Sequence, residues 1–226
     1  MMKEKFLNYP ITNTLILLNI FIYLYMVFEI KSLSFDTQYL YNMGAINGEA
    51  ILNHAQIYRI ITGIFLHAGV DHIAMNMLSL WMIGYLIEDA FGAKNYLIIY
   101  FISGIVGAIS SIYIQPFAIG VGASGAIFGI FGAFGGYIIA NRNEIYGATN
   151  HLKQFALIIA LNLGLGLMIP NIDMSAHIGG LLIGFIGGIA LRDYFKIYII
   201  GSFIFIVCFY LYAKNNHLSM LEVVIF

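Results

Sequence analysis

The feature that most restricts this chain is a repeating one: apolar runs of about 16 to 20 residues, each separated from the next by a short charged connector. A helix of about 20 residues spans a hydrocarbon core of about 30 Å, so runs of this length suit a bilayer. Seven can be drawn: Ile11 to Phe28, His72 to Ile87, Asn95 to Tyr113, Ala123 to Ala140, Phe155 to Ile169, Ser175 to Leu191 and Ile197 to Ala213. The fifth is interrupted by Asn162, Gly164 and Gly166. None alternates with the period of a membrane strand. In lipid the backbone must satisfy its own polar groups, so the expected class is an all-α polytopic membrane protein.

Composition excludes the other classes. The chain is 61% hydrophobic and 9% charged, with mean hydropathy +0.90, whereas an average soluble domain is about 25% charged. Too few charges remain to cover a soluble surface. A net charge of -1 carries no basic excess, so nucleic acid is not an expected partner and lipid or another membrane segment is. The single cysteine, Cys208, can form no internal disulfide and reads as a small apolar residue. Lys3 and Lys5 precede the first run as in a signal peptide, but Met26-Val27-Phe28-Glu29 offers no small-residue cleavage site, so a retained helix is expected.

Orientation follows from the cationic connectors. With seven crossings and a cytoplasmic N-terminus, Lys3, Lys5, Lys94, Arg142, Lys153, Arg192 and Lys196 lie inside, and Lys31, Arg59 and Lys214 outside. That is seven of the ten basic residues inside, as the positive-inside rule favours. The same assignment starts the second, fourth and sixth segments from the outer face. His72, Ser124 and His177 open those segments, so all three share one depth.

Their chemistry is complementary. A serine hydroxyl is a weak nucleophile until a base takes its proton, and the tetrahedral intermediate needs donors aimed at its oxyanion. Ser124 and His177 fit the first requirement. His72 and Asn76, four residues apart, lie on one helix face where imidazole and carboxamide can address one oxygen. The Ser124 N–H, at a helix N-terminus, is a third candidate donor. Asp173 is expected in the loop before His177, which favours a dyad over a triad. Gly125, Gly129, Gly132 and Gly136 give the fourth segment a smooth face, and Gly180, Gly184 and Gly188 do the same for the sixth. Such faces let two helices approach closely in lipid, and only a close approach brings Ser124 to His177. Gly122, just before the serine, suits a turn with unusual backbone angles.

These residues resemble a rhomboid protease. The resemblance rests on Gly122-Ala123-Ser124-Gly125, on Ala176-His177 with Gly180 and Gly184, and on His67, His72 and Asn76 within Phe65 to Asn76. It implies Ser124 as nucleophile, His177 as its base, and His72 and Asn76 as oxyanion donors, with no metal or organic cofactor. Implied substrates are single-pass membrane proteins, cut near the outer edge of their span. The implied location is a bacterial cell membrane. The family's membrane-associated first loop corresponds to Lys31 to Leu66, with Tyr58-Arg59 where the family has Trp-Arg. The resemblance also divides the chain into a six-helix core, residues 1–191, and an added C-terminal helix with a short tail, residues 192–226.

Other readings compete with this one. His67, Asp71, His72 and His177 could line a metal or proton path in a transporter, although no His-Glu-x-x-His motif or inverted repeat accompanies them. A catalytically dead relative would bind membrane segments without cutting them, but it has no use for both Ser124 and His177. His67 is expected to be structural, hydrogen-bonding the first loop, and Glu88 to tie helix ends together. His54, His151 and His217 receive no role.

Overall fold

A computed structural model describes residues 8–168 and 172–224, with backbone only for 217–224. Lys3, Lys5 and Ile169 lie outside the described residues, as does the side chain of His217. Among the described residues the regular structure is helical apart from two isolated bridges, Ser34 with Gly69 and Ile46 with Gly120. Seven long helices correspond to the seven apolar runs. They are α1 (Pro10–Ile30), α5 (Val70–Phe91), α6 (Ala93–Ile114), α7 (Ser124–Ala140), α8 (Ala148–Met168), α9 (Met174–Ala190) and α10 (Phe195–Val224). Three short ones fill the first loop: α2 (Thr37–Asn42), α3 (Gly48–Leu52) and α4 (Arg59–Phe65). Helices α1, α5, α6, α8 and α10 are long and apolar enough to cross a membrane. With 17 residues each, α7 and α9 measure about 25 Å.

Most long helices outrun the hydropathy pattern at their ends. Helix α8 begins at Ala148, seven residues before the expected Phe155, because the backbone ladder continues through polar residues such as His151 and Lys153 after lipid contact ceases. The first loop is also more ordered than a loop reading implies. Asp36 and Asn47 cap α2 and α3 by accepting from the Tyr39 and Ala50 amides. Arg59, 4% exposed, donates from Nε to Gln56 Oε1 (2.6 Å) and from one terminal nitrogen to the Tyr41 and Ala45 carbonyls (2.6 and 3.1 Å). Its guanidinium also lies 4.2 Å from the Tyr41 ring centroid, so one cation ties the two halves of the loop together.

Helix α1 packs against α5, where Gly84 leaves room for Thr12 and the Tyr96 hydroxyl. The buried Glu88 carboxylate accepts the Ile11 and Thr12 amides, both at 2.8 Å. Pro10 at the helix start has no amide to satisfy. Glu88 therefore caps α1 and ties two helix ends together, as its position suggested.

The centre of the bundle is the contact of α7 with α9, supported by α6. A Cβ at Gly180 would run into the Gly125 carbonyl, one at Gly184 into the Gly129 carbonyl, and one at Gly188 into that of Ala133. Only glycine allows these backbones to touch. Helix α8 is the least enclosed, with Ala148 and Gly166 its buried residues and Phe155 filling the space left by Gly135. Helix α10 lies against α9 and α6, with Tyr198, Ser202 and Ala213 on its buried side.

Candidate active site

Ser124 is the first residue of α7, and the preceding Ala123 supplies no side-chain cap. The Ser124 amide therefore belongs to the unsatisfied first turn of the helix. Gly122 reaches this point with φ +116°, a left-handed conformation that side chains resist. Its amide donates to the Gly63 carbonyl at 2.9 Å. A Cβ at Gly122 would lie 2.6 Å from His72 Nε2 and 3.8 Å from Asn76 Nδ2. The glycine is thus required twice, for its φ and for the space that His72 and Asn76 occupy.

His177 stands one turn into α9, where the glycine contacts bring α9 onto α7. Its Nε2 lies 2.8 Å from Ser124 Oγ, within hydrogen-bond range, and the ring is 8% exposed. Nδ1 has no hydrogen-bond partner among the described residues. Asp173 is engaged elsewhere: its Oδ1 accepts from the Ala176 amide at 3.0 Å and from the Ser175 hydroxyl at 2.5 Å, capping α9. Among the described residues no carboxylate hydrogen-bonds the imidazole.

The Phe128 ring holds the imidazole instead. It stacks on His177 with centroids 4.3 Å apart and planes at 14°. Sequence reasoning missed this residue, because an aromatic side chain in an apolar helix reads as lipid contact. Its four-residue spacing from Ser124, which places both on one face of α7, was the available signal.

His72 and Asn76 face the turn before Ser124 from α5. Asn76, 6% exposed, donates one Nδ2 proton to the His72 carbonyl at 2.9 Å, leaving its second amide proton for another acceptor. His67 has the structural role expected of it, with a hydrogen bond to the Phe65 backbone at the end of the first loop. It is fully buried, and its ring meets that of His72 edge-on at 5.1 Å. Burial, with His72 beside it, pushes its pKa down to about 3, so it packs behind His72 as a neutral ring. Tyr58, beside Arg59, is exposed. Gly125, Gly180 and Gly184 all lie in the α7–α9 contact described above.

The Rhomboid domain family profile matches residues 54–194. Rhomboid protease GluP of Bacillus subtilis (strain 168) is 36% identical over 186 residues, which are 82% of this chain and 36% of that protein. RHOMBOID-like protein 2 of Arabidopsis thaliana is 42% identical over 153 residues, 67% of this chain and 48% of that protein. The putative rhomboid protease YdcA of Bacillus subtilis (strain 168) is 34% identical over 181 residues, covering 79% of this chain and 86% of the relative. The chain therefore spans less than half of GluP and of the plant protein, and most of YdcA.

Proposed function

Because the chain belongs to the rhomboid family, we propose that it is an intramembrane serine endopeptidase that cuts transmembrane segments of other membrane proteins near the outer membrane face. The observation that carries this reading is the 2.8 Å approach of Ser124 Oγ to His177 Nε2, which needs a neutral imidazole to act as base. Ser124 Oγ attacks the scissile carbonyl carbon while Nε2 takes its proton. The carbonyl oxygen becomes an oxyanion facing the His72 imidazole, the free Asn76 amide proton and the Ser124 amide. Collapse of this intermediate breaks the C–N bond, and the imidazolium returns the proton to the leaving amine. Water, deprotonated by the same nitrogen, then attacks the acyl-serine, which releases the second fragment and restores Ser124.

The multi-pass helical chain sits in a membrane; the N-terminus inside a bacterial cell is our reading of the cationic connectors. Residues 1–191 then form the six-helix protease core, and 192–226 the added helix with its short tail. Close packing of α7 and α9 supports Gly125, Gly180 and Gly184 as the residues that hold the pair together.

Purified protein should react with a fluorophosphonate and cleave a model transmembrane substrate, and Ser124→Ala should do neither while remaining folded in detergent. Cleavage by Ser124→Ala at the wild-type rate overturns the serine mechanism. An unreactive wild-type protein instead favours a transporter or a dead relative.

A further inference from the structure

Helix α10 follows the segment that carries His177, and its role in the chain is open. Besides the packing of Phe209 and Tyr212 on Tyr113 of α6, two footings connect it to the site's supports. At the inner footing the Tyr198 ring, 5% exposed, seats against Gly187 of α9, where a Cβ would meet Tyr198 Cζ at 2.8 Å. Gly187 shares a helix with His177, so the angle of α9 depends on what fills that notch. At the outer footing Ala213, 3% exposed, joins a buried cluster with Ile51 and Leu52 of α3 and Ile109 and Ile112 of α6. The Tyr210 hydroxyl reaches the Ile51 carbonyl at 3.5 Å.

Helix α3 is in turn joined to the turn before the nucleophile. The Gly48 amide donates to the Pro116 carbonyl at 2.8 Å, and Ile46 and Gly120 exchange two backbone hydrogen bonds, each 2.8 Å. A Cβ at Gly48 would press 2.5 Å from the Pro116 carbonyl oxygen, so this contact admits little slack. The strand-like stretch that ends at Gly122 is thereby fixed to the first loop, and the first loop to α10. Resting on the protease reading above, we infer that α10 positions both members of the Ser124–His177 pair, through Tyr198 on the base's helix and through Ala213 on the support of the nucleophile's turn.

The test uses the full chain with one footing altered at a time. Tyr198→Ala empties the Gly187 notch, Tyr198→Phe keeps the ring, and Ala213→Leu overfills the outer cluster. Gly201→Val is the control, since nothing lies within 4 Å of a Cβ there. The readouts are kcat and KM for a transmembrane substrate, the rate of fluorophosphonate labelling of Ser124 per folded molecule, and thermal stability. Misplacement of about 1 Å can cost about a hundredfold in rate, so partial displacement predicts a fall of about tenfold in kcat and labelling for Tyr198→Ala and Ala213→Leu, with KM little changed. Tyr198→Phe should restore the rate. Wild-type kcat and labelling in both variants, with only thermal stability reduced, would overturn the inference. So would an equal loss from Gly201→Val. A wild-type chain that neither cleaves nor labels sinks the protease reading itself, which is a separable failure.

Discussion

Asn76 makes one hydrogen bond within its own helix and has one proton left for the reaction. Asn76→Ala should lower kcat by the loss of one oxyanion donor, about 2.7 to 4 kcal/mol if it acts alone and less if His72 and the Ser124 amide share the charge. A purely structural Asn76 would lower thermal stability and spare the rate per folded molecule, so both are measured. Phe128 poses a related question at the base. With no carboxylate on Nδ1 among the described residues, the stacked Phe128 ring restrains the imidazole plane, and Phe128→Leu should reduce kcat more than it raises KM. His67 carries the pH prediction. Its folded pKa is depressed to about 3 from an ordinary 6.5, so between those values the unfolded chain binds a proton that the folded chain does not. Stability should therefore fall as pH is lowered from 6.5 toward 3, and thermal melts of His67→Phe should fall less steeply. Ser124 and His177 were legible because a hydroxyl and an imidazole among glycines have few structural uses in lipid. Phe128 and the packing of His67 were not, because aromatic and ring contacts depend on which helices meet.

Among the elements, α7 and α9 form the most demanding pair. Gly180→Val would drive a side chain into the Gly125 carbonyl and move His177 away from Ser124, with a loss on the order of a hundredfold in rate for about 1 Å. A fully active Gly180→Val protein would show that this face does not set the pair. The first loop invites a different substitution. Arg59→Lys keeps the charge but not the fork that reaches Gln56, Tyr41 and Ala45, and should cost about 1.5 to 3 kcal/mol for each charged hydrogen bond lost outright. A thermal melt reads this directly. The seven long helices could be drawn from hydropathy because lipid imposes apolar length on each alone. Helices α2, α3 and α4 could not, since Leu40, Ile51 and Ile64 are buried by partners distant in sequence and their caps become decisive only once those partners arrive.

For the molecule as a whole, Glu88 joins its beginning to its middle. Glu88→Gln should keep one acceptor and lose the charge-assisted pair, lowering the melting temperature while leaving the rate per folded molecule unchanged. The pairing also has a history within the life of each copy. Glu88 lies 77 residues after Ile11, and at about 5 to 20 residues per second a ribosome needs about 4 to 15 seconds to make that stretch. For that interval the Ile11 and Thr12 amides exist without the carboxylate that accepts them in the folded chain. Each newborn chain thus completes the cap of its first helix only after Glu88 of α5 has been made.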